Sequence, residues 1–314
     1  MMPAKKGGKI DKRNILIVVL SLVICLQTYV LYQSDPDRFK GFFVNRATTA
    51  PSVKAVKKPV KVEKVKPSLK TEPVALEDVP GPVVPAIARP SGATAKVAII
   101  IDDWGYSTKN CQYLRDIKSP ITVAILPNLP HSKDVMNCAH EAGQEIMLHL
   151  PMEPHKNTDP YPTDYILKTT MLPTKIDRIL SDILDQMPYV DGVNNHMGSK
   201  ATEDRRLMTT IYKQLRYRKL FYVDSRVTAK SVCAPLAKEI GVAFTSRDVF
   251  LDNVNERAAI QNQLAVLARL AKKRGWAIAI GHDRSLTLQV IQERVTSFKE
   301  QGIEFVTVKE IIGP

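Results

Sequence analysis

Side chains that can bind metals and move protons lie at the ends of short apolar runs in this sequence. Asp102 and Asp103 follow the run VAIII, and His149 lies in MLHLP. His196 ends the string NNH, and His282 follows AIAIG. Short β-branched runs predict strands, and parallel α/β folds carry their active sites at the carboxyl ends of the strands. We therefore expect these five side chains to meet in one site.

This set of donors is typical of a mononuclear metal hydrolase. A catalytic zinc ion takes three protein ligands from nitrogen and oxygen donors and keeps an open position for water. One carboxylate and two imidazoles would supply those ligands. A second carboxylate could then act as the base on the water, and a third imidazole as the acid on the leaving group.

Two further acids have competing interpretations. Asp224 ends the run FYVD and could join the site, or pair with Arg226 in a structural ion pair. Glu153 stands four residues after His149, but Pro151 and Pro154 make the backbone there non-helical. The spacing therefore leaves open whether Glu153 shares a ligand face with His149.

Strand and helix signals alternate over residues 95–314. The candidate strands are 96–103, 121–127, 145–151, 190–196, 221–226, 242–251, 276–282 and 303–308. Helical periodicity is clearest at 131–142, 174–187, 204–218, 256–274 and 286–301. This alternation predicts an α/β fold with a parallel sheet and helical crossovers. With about seven to eight strands, an irregular (β/α) barrel fits better than a doubly wound sheet.

The residues before this domain predict a membrane anchor and a linker. Residues 1–13 form a basic tail, expected in the cytoplasm, and 14–33 include 18 consecutive uncharged residues, enough to span a bilayer. A cleaved signal peptide is the rival interpretation, but the apolar run is long and no A-x-A-type site follows it. Residues 34–94 are rich in proline and lysine, which predicts a disordered spacer that could also contact anionic lipid or cell-wall polymer. The expected location is a single pass of the inner membrane with residues 95–314 exported.

Composition excludes several classes of protein. The net charge of the 314 residues is +13, but residues 1–95 carry +9 of it, so basic nucleic-acid binding by the folded domain is not indicated. Four cysteines without a CxxC pair exclude a disulfide scaffold and a zinc ribbon. Cys111 and Cys138 lie on apolar helical patterns and are interpreted as small core residues.

Five motifs, taken in order, resemble those of the divergent polysaccharide deacetylases. They are AIIIDDWG, LHLPMEP, GVNNHMGS, VDSR and AIGH, and the resemblance covers residues 95–312. It implies the irregular (β/α) barrel of the polysaccharide deacetylases. It also implies a divalent metal, zinc first among the candidates, and an N-acetylated envelope glycan, a polysaccharide or a peptidoglycan-like polymer, as substrate.

The resemblance implies a role for each candidate residue. Asp102 becomes the catalytic base, Asp103 and His149 metal ligands, and His282 the general acid. Asp224 would orient or tune another group of the site.

This sequence departs from the family pattern at two points. Glu153 stands where ordinary polysaccharide deacetylases have their second histidine ligand, so either Glu153 or His196 completes the metal site, and we prefer His196. No arginine near the base is found in NNHMGS.

The implied activity is metal-dependent hydrolysis of N-acetyl groups on a cell-envelope carbohydrate. The rival hypothesis is a catalytically inactive envelope-binding module on the same fold, favoured by the altered second motif. Glycoside hydrolysis by a carboxylate pair is a third hypothesis. If both lay in a regular strand, the adjacent Asp102 and Asp103 would point to opposite faces, which suits that chemistry poorly.

Overall fold

The computed structural model describes residues 94–156, 161–162 and 165–313. Nine strands and eight helices alternate through these residues. The strands are β1 (Ala95–Trp104), β2 (Thr122–Ile125), β3 (Glu145–Met152), β4 (Gly192–Met197), β5 (Phe221–Asp224), β6 (Phe244–Ser246), β7 (Val249–Phe250), β8 (Trp276–His282) and β9 (Ile303–Phe305). The helices are α1 (Cys111–Asp116), α2 (Ser132–Glu141), α3 (Pro173–Asp185), α4 (Arg205–Arg218), α5 (Cys233–Ile240), α6 (Arg257–Arg274), α7 (Ser285–Glu300) and α8 (Val308–Ile312).

All strand pairs in the sheet are parallel, and the sheet curls into an open barrel whose two edge strands, β6 and β7, are joined by a short link rather than by pairing. The order is β6-β5-β4-β3-β2-β1-β8-β7, with β9 pairing with β1 beside this path. Only Arg247 and Asp248 separate β6 from β7. The Arg247 N–H donates to the Asp224 carbonyl at 3.0 Å, while the Asp248 N–H donates to the Ile278 carbonyl at 2.9 Å. Consecutive amides of one segment thus bond to β5 and to β8, and the predicted irregular (β/α) barrel is confirmed.

Hydrophobic burial explains why these runs become strands inside a ring of helices. In β1, every residue from Val97 to Ile101 is fully buried. Parallel strands covered on both faces read as continuous apolar runs rather than alternating ones. The five predicted helices are all present within two residues of their expected ends. Helices α1, α5 and α8 were not predicted. Each is only five to eight residues long, which is too short to show a clear helical periodicity.

A buried glutamate closes the amino-terminal end of the barrel. The Glu145 carboxylate accepts the Thr122 hydroxyl at 2.6 Å and the amides of Val308 and Lys309 at 2.8 and 2.9 Å. Those amides belong to the first turn of α8, where backbone N–H groups find no acceptor within their own helix. Glu145 therefore ties β2 and β3 to the last helix of the domain.

We expect Glu145→Ala to lower the free energy of unfolding by about 1–3 kcal/mol, since three donors lose their shared acceptor. Urea denaturation followed by circular dichroism measures this. Glu141→Ala, an exposed glutamate at the end of α2, is the matched control and should change stability little. Equal effects of the two substitutions would contradict the tie between Glu145 and α8.

The predicted tail 1–13 and anchor 14–33 lie outside the described residues, as does the predicted linker 34–94 except for its last residue. Within the described part of the chain, no helix combines the length and the apolar character needed to cross a membrane.

Candidate metal centre and active site

Three predicted ligands converge at the carboxyl edge of the barrel. Asp103 Oδ1 lies 3.2 Å from His149 Nε2 and 3.1 Å from His196 Nδ1, and the two ring nitrogens are 3.2 Å apart. Both imidazoles are buried. Among the described residues, this trio is the group of at least three donors whose ligand atoms come close enough to hold one metal ion.

The three donor atoms fit a tetrahedral metal. Bonds of about 2.0–2.1 Å to a central ion place neighbouring ligands about 3.3 Å apart, close to the distances observed. The His149 Nδ1 faces Asn194 Oδ1 at 2.8 Å, and because that oxygen only accepts, the nitrogen donates. A neutral His149 then aims the Nε2 lone pair at Asp103. Asp103 Oδ1 is buried, and the two imidazole nitrogens contact it at 3.1–3.2 Å, so the carboxylate oxygen faces both histidine donors.

Electrostatics also favour a cation at this point. Burial opposes the charge of Asp103, but the hydrogen bonds and charges of His149 and His196 hold the pKa of this carboxyl far below its usual range. Burial likewise disfavours a charged His149, yet Asp102 and Asp103 raise the pKa of the imidazole to about 9. The cluster therefore attracts positive charge, and protons and a metal ion compete for His149.

A bulge in β1 brings both aspartates into the site. The register between β1 and β2 shifts between Ile101 and Trp104, and Asp103 has a left-handed backbone with φ of 65°. A bulge breaks the regular alternation of side chains along a strand. The condition for Asp102 and Asp103 to point to opposite faces, a regular strand, is therefore not met here. Both carboxylates contact the same nitrogen, His149 Nε2, at 3.7 and 3.2 Å, so they cannot flank a sugar from opposite sides.

Asp102 lies behind the trio as a buried carboxylate. Its Oδ1 accepts a hydrogen bond from Asn194 Nδ2 at 2.8 Å, and Asn194 thus bridges Asp102 and His149. Burial raises the pKa of Asp102, against the opposing influence of His149 and His282. A carboxylate with a raised pKa is a stronger base near neutral pH.

His282 enters the site from β8, paired in register with Asp102. Its Nδ1 lies 2.7 Å from Asp252 Oδ1, and its Nε2 lies 3.9 Å from Asp103 Oδ2. Asp252 is fully buried and also accepts the His282 amide and the Thr287 hydroxyl. Burial disfavours the charged imidazole, but the hydrogen bond and charge of Asp252 outweigh it and raise the pKa of His282.

Two predicted residues lie apart from this cluster. The carboxylate that orients His282 is Asp252, whereas Asp224 accepts the Arg226 amide and the Ser231 hydroxyl. Glu153 forms an ion pair with Lys200 at 2.8 Å and accepts the backbone N–H and the hydroxyl of Thr169. The structure therefore brings His196, and not Glu153, to Asp103 and His149.

Asp252, Asn194 and the cation Arg247 were not predicted from the sequence as members of the site. Arg247 Nε donates to the Ser225 carbonyl at 2.8 Å, and its guanidinium lies 4.6 Å from the centre of the Phe250 ring. Burial and the charge of Arg226 lower the pKa of Arg247, and the charges of Asp102 and Asp224 act against them. Arg247, in the short link between β6 and β7, is therefore a cation close enough to feel the charge of Asp102. The polar residues SRD within the predicted strand 242–251 were the sequence feature that could have indicated Arg247.

Replacing Arg247 by glutamine is expected to raise the pKa of Asp102, because a neighbouring positive charge is lost. If Asp102 acts as the base, it must be deprotonated, so the acidic limb of the kcat/KM profile should move to higher pH. Arg257→Gln, in an exposed pair with Glu293, is the control and should leave the profile unchanged. An unchanged acidic limb in Arg247→Gln would exclude an electrostatic role for this arginine.

Related proteins share most of this domain. A protein of Escherichia coli K12, the uncharacterized protein YibQ, is 35% identical over 206 residues, which cover 64% of this chain and 62% of that protein. An uncharacterized protein of Haemophilus influenzae is 37% identical over 210 residues, covering 67% of this chain and 74% of its own. The chain thus spans about three fifths of the length of the E. coli relative.

The fold recurs in a solved structure. An uncharacterized protein of Agrobacterium tumefaciens C58 superposes with a TM-score of 0.67 at 23% identity, over 72% of this chain and 92% of that one. The sequence model of the divergent polysaccharide deacetylases matches residues 99–312, which contain every residue of the cluster. This chain belongs to the divergent polysaccharide deacetylase family.

Proposed function

We propose that this domain is a metal-dependent hydrolase that removes N-acetyl groups from a cell-envelope carbohydrate. The observation that carries the proposal is the joint position of three metal-binding atoms, a buried carboxylate and an oriented imidazole at one edge of the barrel. Amide hydrolysis needs a base for water, an acid for the leaving amine and a charge that stabilises the oxyanion. This cluster offers a group for each task.

The position of each residue suggests its role in the proposed reaction. Asp103, His149 and His196 would hold a divalent metal, zinc first among the candidates. When bound, such a metal polarises the amide carbonyl and lowers the pKa of water. Asp102, buried beside His149, takes the proton from the attacking water. His282, held through Nδ1 by Asp252, presents Nε2 toward the site and delivers a proton to the departing amine.

Tyrosine side chains near the site favour a carbohydrate as the substrate. The Tyr161 ring centre lies 5.9 Å from that of His196. Burial raises the pKa of Tyr161, and the phenols of Tyr106 and Tyr165 act in the same direction. Tyr106 and Tyr165 are more than two-fifths exposed. Such rings offer an apolar face with a polar edge, which suits the faces and hydroxyls of a pyranose.

We also propose that the domain acts outside the cytoplasm, tethered to the inner membrane by residues 14–33. The uncharged run in this segment and the basic residues before it support the proposal. Residues 34–94 would then give the domain reach toward a polysaccharide or a peptidoglycan-like glycan.

Acetate release tests the proposed reaction. Purified full-length protein, loaded with zinc, cobalt, nickel or manganese, is incubated with N-acetylglucosamine oligomers and with peptidoglycan fragments, and acetate is measured by proton NMR. We expect acetate from the wild type and none above background from Asp102→Asn, whose metal content should equal that of the wild type.

Binding measurements separate the proposal from its rival. Metal-loaded protein that binds these glycans but never releases acetate would contradict the hydrolase and favour the envelope-binding module.

A further inference from the structure

Arg247 is a half-buried cation that lacks a carboxylate partner. It lies in the two-residue link between β6 and β7. Its Nε donates to the Ser225 carbonyl at 2.8 Å, and its Nη2 donates to the Arg226 carbonyl at 3.2 Å. Within the described part of the chain, no carboxylate forms an ion pair with this guanidinium, whose contacts are these two carbonyls and one aromatic ring. Charges withdrawn from water are usually paired, so an unpaired one at a site points to an anionic ligand.

One aromatic ring joins this cation to the proposed acid. The guanidinium carbon of Arg247 lies 4.6 Å from the centre of the Phe250 ring. The imidazole of His282 packs beside the same ring, with 5.1 Å between the ring centres. The guanidinium is therefore separated from the imidazole by no more than the sum of these two distances, which is within the length of a disaccharide. A sugar whose acetamide reaches His282 can thus place a neighbouring group on Arg247.

The guanidinium keeps donors free for a ligand. It has five N–H groups, and the two backbone carbonyls take one from Nε and one from Nη2. Nη1 donates to none of the described residues, and it is not sealed from solvent. The two carbonyls and the Phe250 ring fix the plane of the group. Such a fixed plane with neighbouring free N–H groups suits the bidentate binding of a carboxylate.

Nearby acids do not take this place. Burial lowers the pKa of Arg247, and the charges of three carboxylates act against it, but each carboxylate is held by another donor. They are Asp102, which accepts from Asn194; Asp224, which accepts from the Ser231 hydroxyl; and Asp248, which pairs with Arg274. The free edge of Arg247 is therefore left for an anion that the described residues do not supply.

We propose that Arg247 binds a carboxylate of the substrate, so that the site selects N-acetylated sugars carrying an acidic group over neutral ones. This inference rests on the proposed hydrolase function and narrows its substrate class. The carboxylate has two possible sources: a lactyl ether on the N-acetylated sugar itself, as in muramic acid, or a neighbouring uronic acid. Both present the same planar anion to the guanidinium.

Calorimetric titration with matched disaccharides tests the inference. Zinc-loaded full-length protein carrying Asp102→Asn, which prevents turnover, is titrated with three probes. N,N′-diacetylchitobiose is neutral, whereas N-acetylglucosaminyl-N-acetylmuramic acid and glucuronic acid linked to N-acetylglucosamine each carry one carboxylate. We expect an acidic disaccharide to bind about 10–100-fold more tightly than the neutral one, and the tighter acidic probe identifies the source of the carboxylate. Equal affinity for all three probes, or binding of none, would overturn the subsite.

Substitutions in the same Asp102→Asn background assign the preference to one side chain. Arg247→Gln keeps a donor but loses the charge, so the acidic and neutral disaccharides should bind equally. Arg247→Lys keeps the charge without the planar fork, and a smaller preference should remain. Arg257→Gln, in the exposed pair with Glu293, is the matched control and should keep the full preference. Thermal melting checks that each variant is folded. An undiminished preference in Arg247→Gln or in Arg247→Lys would overturn the assignment.

Acetate release separates this inference from the proposed function. If the acidic disaccharide binds more tightly while the wild type releases acetate from no probe, the hydrolase is contradicted and the carboxylate subsite is supported. If the wild type releases acetate from the neutral and acidic disaccharides with equal kcat/KM, the hydrolase is supported and the subsite is overturned.

Discussion

His149→Ala or His196→Ala should each abolish stoichiometric metal binding, whereas Glu153→Ala should retain it. The two imidazole nitrogens and Asp103 Oδ1 lie 3.1–3.2 Å from one another, so each substitution removes a third of the ligand set. Even outer partners of metal ligands cost 10–100-fold in affinity when changed, and we expect a ligand to cost at least about 100-fold.

Metal analysis of purified protein after zinc loading and gel filtration measures this effect. Glu153→Ala is the matched control, because it removes the rival donor predicted from the sequence while its contacts with Lys200 and Thr169 lie in the neighbouring loops. If Glu153→Ala lost the metal while His196→Ala kept it, the ligand set proposed here would be wrong. Acetate release, where the wild type shows it, should fall with metal content in the two histidine variants.

Asp252→Asn should lower kcat/KM by about 10²–10⁴, the usual contribution of a general acid. Asp252 fixes His282 through a 2.7 Å contact with Nδ1, and its charge raises the pKa of the imidazole. Asparagine keeps the shape of the side chain but removes the charge, so the pKa of His282 falls. Since the acid must carry its proton, activity is lost as pH rises through this pKa. The alkaline limb of the kcat/KM profile should therefore move to lower pH.

Thr287→Val provides the comparison for Asp252→Asn. The Thr287 hydroxyl donates to Asp252 Oδ2 at 2.7 Å, so the substitution disturbs the same carboxylate without removing its charge. We expect less than about a 10-fold loss and an alkaline limb close to that of the wild type. An alkaline limb that stays in place in Asp252→Asn would show that His282 is not the group titrating there, and would contradict its role as the acid.

Much of the architecture could be predicted from the order of the residues. Apolar β-branched runs alternate with helical periodicity, and burial against both layers forces that pattern in a parallel barrel. The five motifs indicated the family, and the family model that matches residues 99–312 confirms it. The histidines at strand ends also predicted that His149, His196 and His282 meet, because carboxyl ends of parallel strands lie at one edge. The choice between His196 and Glu153 as the third ligand stayed open.

Other features of the site depend on contacts between residues that are far apart in the sequence. Asp252 lies thirty residues from His282 and meets it only because β7 pairs with β8. Asn194 bridges Asp102 and His149 across three strands. Arg247 lies in the segment between β6 and β7, whose backbone bonds to β5 on one side and to β8 on the other.

The sequence by itself determined the strand order along the chain, the family and the residue types of the metal site. Only the tertiary structure decided which residues share the site. The bulge at Asp103 turns both aspartates inward, contrary to the alternation of a regular strand. The pairing of β3 with β4 brings His196 beside His149, while Lys200 and Thr169 hold Glu153 elsewhere. Local sequence dictates backbone preference and burial, but the direction of a side chain depends on register and bulges, which arise from pairing between distant segments.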